Sequence, residues 1–200
     1  QAAAESGAPE AYLRKFIGAE SSNNPNAVNP NSSAAGLGQF IDQTWLGMIK
    51  ETGAKYGMQD AADAIQKKNG VWTVSDPAAK AVILGLKKDP TTAARMTGEL
   101  ITRNAKTLHQ NLGRPATGDE LYMAHVFGPN GATMLLKAQP GLPAKNFASA
   151  QVVAANRSLF YNPDGTSKSV GQLRAKLAQS GGSGLGPGSP GAAPATGGPE

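Results

Sequence analysis

The sequence predicts an all-α fold, and three of its features carry that expectation. Apolar residues recur at three- and four-residue intervals in most windows. Capping residues stand just ahead of several of those windows, twice followed directly by proline. Alternating strand-like patterns are scarce.

The first helix is expected over 8–20, where Tyr12, Leu13, Phe16 and Ile17 share one stripe. A second spans 42–56, with Asp42 as N-cap and Trp45, Leu46, Met48 and Ile49 as its apolar residues. Between them, Ser21 to Gln39 holds Asn23, Asn24, Asn26, Asn29 and Asn31 with two prolines and two glycines. A polar loop of that length in a compact helical domain is either functional or disordered. Asp76-Pro77 and Asp89-Pro90 open helices over 77–88 and 91–112, the latter stopping at Gly113. Thr117 followed by Glu120 is a capping box opening a helix over 118–127. Shorter helices follow over 131–138 and 147–155, and Ser169 leads into a last one over 170–179 with Val170, Leu173 and Leu177 inward. There is no internal repeat, and residues 8–179 read as one domain. From 180 to 200 the chain is almost wholly Gly, Pro, Ser and Ala, which cannot bury a core and reads as a flexible linker.

Composition narrows the function classes. Hydrophobic residues make up 40% of the chain and charged residues 16%, a balance too apolar for a disordered protein. The absence of cysteine excludes a disulfide framework and thiolate metal sites. With only His109 and His125 besides, neither a metal nor another cofactor is expected. No run approaches the ~18–20 apolar residues of a membrane span. The net charge of +5 favours polyanionic partners: nucleic acid, acidic membranes, or a cell wall carrying carboxylates and phosphates. The basic residues are dispersed, mostly in pairs such as Arg14-Lys15, Lys67-Lys68 and Lys87-Lys88, and read as solvated helix faces. Without an arginine-rich arm or an aromatic-interleaved stripe, no nucleic-acid partner is expected. The chain starts at Gln1 without a basic region and apolar stretch, as a processed protein or an excised segment would.

Glu20 is the residue that points to chemistry. It falls at the C-terminal end of the first helix, beside Phe16 and Ile17 and just before the asparagine-rich loop. Partial burial and the negative end of the helix dipole both disfavour a carboxylate there, so the sequence predicts a raised pKa. A carboxylic acid still protonated near neutral pH can deliver a proton to the oxygen of a glycosidic bond.

Glu20-Ser21, then Asn24-Pro25-Asn26-Ala27, then Gly36-Leu37-Gly38-Gln39-Phe40 and Thr44-Trp45 together resemble the transglycosylase SLT family. Ala124-His125-Val126-Phe127-Gly128-Pro129-Asn130-Gly131 is similar to the family's Ala-Tyr-Asn-Ala-Gly-Pro-Gly segment. Asn156-Arg157-Ser158-Leu159-Phe160-Tyr161 is similar to an Asn-Pro-x-x-Phe segment of related phage and bacterial domains. The resemblance runs over 8–178 and implies a lysozyme-like helical fold that cleaves the MurNAc–GlcNAc β-1,4 bond of peptidoglycan. Glu20 would act as acid and then base, forming a 1,6-anhydro ring on MurNAc with no water consumed. Ser21, Gln39, Gly36, Gly38, His125 and Tyr122 would then line the substrate groove. Gly38 stands where the family usually has Met, and His125 where it usually has a Tyr that hydrogen-bonds the catalytic Glu. A neutral imidazole can donate the same bond, Tyr122 one helical turn earlier is either a substitute for the missing Tyr or core, and Trp45 and Trp72 either stack on sugars or pack inside. Asp42, Asp119 and Glu120 are the candidates for a second carboxylate, the last two already explained by capping.

Peptidoglycan glycan strands are thus the partner the resemblance implies. It places the protein facing the cell wall in the periplasm or on a phage virion, as part of a larger virion, secretion or flagellar assembly. The competing expectations are a hydrolysing muramidase on the same fold and a non-catalytic wall-binding or virion structural module.

Overall fold

A computed structural model describes residues 1–183. The fold is mostly helical, and the all-α expectation is corrected by one antiparallel hairpin. The chain divides into two compact units, Gln1–Thr102 and Arg103–Glu200, the division falling inside a long helix.

The first unit runs α1 (Ala2–Ser6), α2 (Glu10–Ser21), a loop, α3 (Asp42–Thr52), a 3-10 turn at Gly53–Tyr56, α4 (Gln59–Ala64), β1 (Ile65–Lys68), β2 (Val71–Val74), α5 (Pro77–Gly85), a 3-10 turn at Leu86–Lys88 and the start of α6 (Pro90–Leu112). Its core gathers Phe40, Trp45, Leu46, Met48, Ile49, Ile65, Ile83, Met96 and Leu100. Trp45 is fully buried, its indole N–H donates to the Ile83 carbonyl at 2.7 Å, and the Phe40 ring meets it edge-on at 5.2 Å. That resolves its role in favour of packing. Side chains of this size each gain roughly 1.5–3 kcal/mol from burial, so α3 is the element around which the unit is organised.

The hairpin pairs Ile65 with Val74 and Lys67 with Trp72. Asn69 and Gly70 both have positive φ, 50° and 79°, as a two-residue type I′ turn requires. Gln43 of α3 holds the hairpin by its backbone: its amide donates to the Trp72 carbonyl at 3.0 Å and accepts from the Trp72 N–H at 2.8 Å. The half-buried Trp72 ring lies against Gly47, where a β-carbon would stand 2.8 Å from the indole nitrogen. At the other side, α1 is tied to α6 by Glu5–Arg95 at 2.6 Å. The Arg95 guanidinium, bonded to Glu5, holds that carboxyl down at about 2. Glu99 collects both the Lys55 ammonium and the Tyr56 hydroxyl, at 2.6 and 2.5 Å. Burial and then that carboxylate push the Tyr56 phenol up to about 12.

Beyond the first part of α6, the second unit holds α7 (Gly118–Lys137), a 3-10 turn at Ala144–Phe147, α8 (Ala150–Ala155), α9 (Arg157–Phe160) and α10 (Val170–Ser183). Thr117 and Glu120 form the expected capping box. Gly128 breaks α7 at φ 70°, ψ 161°, and Pro129 restarts it, matching the two helices read over 118–127 and 131–138. Leu135, Phe160, Val170, Leu173 and Leu177 are buried in this unit, with the Phe127 and Phe160 rings edge to face at 5.8 Å. Arg174 of α10 closes the end of α7 by donating to the carbonyls of Leu135 and Ala138.

Several boundaries shift. Asp76 caps α5 as expected, accepting from the N–H groups of Ala78 and Ala79, but the helix tightens into a 3-10 turn at Leu86. Asp42 lies inside α3 and caps nothing; Ile41 holds the N-cap position. The helix expected over 147–155 is a 3-10 turn followed by α8. The last helix continues to Ser183, into the segment read as linker, and 184–200 lie outside the described residues. Among the described residues no helix is long and apolar enough to cross a membrane.

Candidate functional site at the end of α2

Helix α2 buries Leu13, Phe16 and Ile17 and carries Glu20, half-buried, in its last turn. Ser21 follows, buried, and its hydroxyl donates back to the Ile17 carbonyl at 3.1 Å. Its oxygen therefore serves the helix end. The chain then leaves α2 through two successive left-handed residues, Ser22 at φ 53° and Asn23 at φ 62°, with the Ser22 N–H donating to the Gly18 carbonyl at 2.9 Å. A non-glycine residue in this conformation costs on the order of 1–2 kcal/mol, asparagine less than the others. Among the described residues only four non-glycines have positive φ: Ser22, Asn23, Gln39 and Asn69. Asn69 belongs to the hairpin turn. The other three bracket the loop that follows Glu20.

The loop from 22 to 41 is ordered by its own polar groups. Asn24 and Asn29 each accept from the N–H two residues on, at 2.9 Å, which makes two Asx turns. Short bridges pair Val28 with Ala35 and Ala35 with Phe40. The Gly36 N–H donates to the Ala27 carbonyl at 2.9 Å, drawing the two limbs together. Gln39, half-buried, donates its amide N–H groups to the carbonyls of Gly36 and Ala27 at 2.9 and 3.3 Å. Its donors are thus committed to the loop.

The two glycines have an internal reason to be glycines. A β-carbon at Gly36, whose φ is +78°, would lie 1.8 Å from the Lys87 carbonyl oxygen. One at Gly38 would lie 2.4 Å from the Thr97 hydroxyl and 2.8 Å from the Phe40 ring. The close approach each allows is to the protein's own chain. A larger side chain at Gly38 has no room, because buried Thr97 and Phe40 already fill that space.

Lys87 clamps the loop from beneath. It is 5% exposed, and its ammonium donates to the Ser33 carbonyl at 2.8 Å, the Phe40 carbonyl at 3.3 Å and the Asp42 carboxylate at 2.6 Å. All three of its donors are satisfied, which is what a buried ammonium needs. The sequence reading placed Lys87 on a solvated face. Its acceptors lie 45 to 54 residues away in sequence, so no local pattern marks it. Asp42 is committed to this pair, which leaves it a structural carboxylate.

Tyr122 and His125 belong to the second unit, on α7. Tyr122 is buried, His125 half-buried, and their rings stack with centroids 6.2 Å apart and planes 28° from parallel. His109 is exposed in the last turn of α6. Glu120 is buried and accepts two bonds from Arg114, at 2.9 and 2.6 Å, and one from the Thr117 N–H at 2.9 Å. The Arg114 guanidinium holds its carboxyl below the ordinary range, against the upward push of burial. Glu120 therefore closes a helix start. Among the described residues no group of three His, Cys, Asp or Glu is placed to hold a metal ion. No known family model matches the chain.

Proposed function

We propose that this protein cleaves peptidoglycan glycan strands as a lytic transglycosylase on a lysozyme-like fold, with Glu20 as its acid and base. In this reading Glu20 protonates the oxygen between MurNAc and GlcNAc, and the substrate's own N-acetyl group stabilises the cation-like centre. The carboxylate then takes the proton of the MurNAc 6-hydroxyl, whose oxygen closes the 1,6-anhydro ring. The first proton leaves with the GlcNAc hydroxyl, so the single carboxyl ends as it began. Substrate assistance of this kind removes the need for a second carboxylate.

The observation that carries the reading is the backbone around Glu20. Three non-glycine residues in the left-handed region stand at the two ends of one loop, immediately after a half-buried carboxyl at a helix terminus. Strained backbone held in place by surrounding structure concentrates at functional sites. The buried Lys87 clamp and the close contacts at Gly36 and Gly38 are what hold it here.

Purified murein sacculi incubated with the protein should release anhydro-muropeptides, and Glu20→Gln should abolish that release while leaving the unfolding midpoint in place. Products heavier by one water would make the protein a hydrolase instead. Undiminished anhydro product from Glu20→Gln would overturn the role of Glu20, and sacculus binding without turnover would overturn the enzymatic reading.

A further inference from the structure

The loop after Glu20 holds a sheet edge that the protein itself leaves open. Three short extended stretches run through Val28, Ala35 and Phe40, joined antiparallel by single bridges. Between Val28 and Ala35 the bonds are made by their neighbours: the Gly36 N–H donates to the Ala27 carbonyl and the Asn29 N–H to the Ala34 carbonyl, both at 2.9 Å. In an antiparallel pair of this kind the two opposed residues turn their own N–H and C=O away from each other. Ala35 turns its pair to Phe40, donating at 3.2 Å and accepting at 3.1 Å. Val28 turns its pair to the opposite side and is 61% exposed. Among the described residues no strand pairs with Val28 on that side, and neither its N–H nor its C=O meets a partner.

Open edges are normally guarded. The β1 strand of the hairpin carries exposed Lys67 and Lys68, which discourage pairing with another chain. The loop has no such guard, since no charged side chain occurs from 21 to 41. Its edge is bounded instead in length. Two residues before Val28, the Asn26 N–H donates to the Asn24 side chain at 2.9 Å; two residues after it, Pro30 has no N–H. Donor and acceptor are therefore offered together at one residue only. The Lys87 ammonium on the Ser33 and Phe40 carbonyls holds the ladder in place, so the edge is formed before a ligand arrives. One N–H and one C=O on the same side of a residue match one residue of an extended peptide, which exchanges both bonds at once. The N–H and C=O of a sugar's N-acetyl group point in opposite directions across a planar trans amide, so that group satisfies one of them and not both.

We propose that the Val28 edge binds the stem peptide carried by MurNAc, taking one of its residues as an added β-strand. This rests on the peptidoglycan substrate proposed above and extends it from the sugar to the peptide. The stem is short and hangs from the sugar whose bond Glu20 would cleave, so a one-residue edge in the loop after Glu20 suits it.

The test is amide hydrogen exchange at Val28 in the isotope-labelled full chain carrying Glu20→Gln. Two soluble murein fragments serve as probes, one with its stem peptides and one stripped of them by an amidase. Only the peptide-bearing fragment should slow exchange at Val28, by about tenfold or more. Val28→Pro removes the N–H and should weaken binding of that fragment about threefold to tenfold, leaving binding of the stripped fragment unchanged. No slowing with the peptide-bearing fragment, or equal slowing with both, overturns the inference even where the wild type releases anhydro-muropeptides. Slowing by the peptide-bearing fragment alone, in a protein that releases none, keeps the edge and removes the catalytic reading. Slowing that rises with protein concentration and needs no fragment assigns the edge to a second copy of this chain and likewise overturns the inference.

Discussion

Replacing Lys87 with methionine keeps most of its hydrocarbon and removes the ammonium that holds the loop between α2 and α3. Three acceptors lose their donor: the Ser33 carbonyl, the Phe40 carbonyl and the Asp42 carboxylate. A hydrogen bond to a charged group contributes about 1.5–3 kcal/mol, and breaking a fully buried ion pair costs about 3–5 kcal/mol. Here the Asp42 side chain is 37% exposed and Ser33 lies at the surface, so both regain water once the lysine is gone. The Phe40 carbonyl, on a residue 3% exposed, does not. Counting one acceptor in full and the other two in part gives a loss of about 2–4 kcal/mol. For a chain of this size that corresponds to a drop of roughly 5–15 °C in Tm. Urea unfolding measures it directly, as a lower midpoint at unchanged slope. The neighbouring Lys88 is exposed and supplies the control: Lys88→Met should change stability by no more than about 0.5 kcal/mol. If Lys87→Met costs no more than Lys88→Met, the ammonium does not hold the loop and the reasoning from its burial fails.

The glycines separate strain from collision. Gly36→Ala places a β-carbon 1.8 Å from backbone and should prevent stable folding of the first unit, whereas Gly113→Ala, at φ +72° with nothing within 4 Å, should cost only about 1–2 kcal/mol. Comparable midpoints for the two variants would refute the contact at Lys87. Glu120→Ala removes the capping box and leaves Arg114 unpaired, and a loss of about 2–3 kcal/mol in chemical unfolding is expected; a loss below about 0.5 kcal/mol would show the box to be idle. Glu5 gives a pH signature. Its folded pKa, at about 2, lies below that of an unfolded glutamate, so its contribution is complete above the unfolded value and disappears as pH falls towards 2. The thermal midpoint should therefore fall more steeply between pH 5 and pH 2 in the wild type than in Glu5→Gln, and parallel curves would refute the Glu5–Arg95 bond.

Local chemistry was legible where one short segment decides the conformation. Asp76-Pro77 and the pair Thr117 and Glu120 mark helix starts because the donors they satisfy lie two or three residues away. Gly113 marks a helix end because its φ of +72° suits glycine. The hairpin is marked locally too: Asn69-Gly70, ahead of Val71-Trp72-Thr73-Val74, is a strong short-range turn signal for paired strands. What the sequence hides is whatever depends on distant partners. Lys87 and Lys88 look alike in the chain, and only the arrival of Ser33, Phe40 and Asp42 makes one a buried clamp and leaves the other in water. The same holds for Gly36 and Gly38, whose need for glycine comes from Lys87 and Thr97.

Glu20, Ser21, Gly36, Gly38 and Gln39 attract attention in the sequence as a set that would touch a sugar. In the structure Ser21, Gly36 and Gly38 answer to the protein's own backbone, and Gln39 does so through its donors. A short motif that resembles one in an enzyme family can therefore stand in a chain because it builds a loop. The backbone strain at Ser22, Asn23 and Gln39 is different in kind, since turns without left-handed non-glycine residues connect helices at lower cost. Replacing Ser22 and Asn23 with glycine relieves that cost while keeping the φ they adopt. If the strain serves only folding, such variants gain stability and lose nothing; if it fixes Glu20 for chemistry, they gain stability and lose murein cleavage.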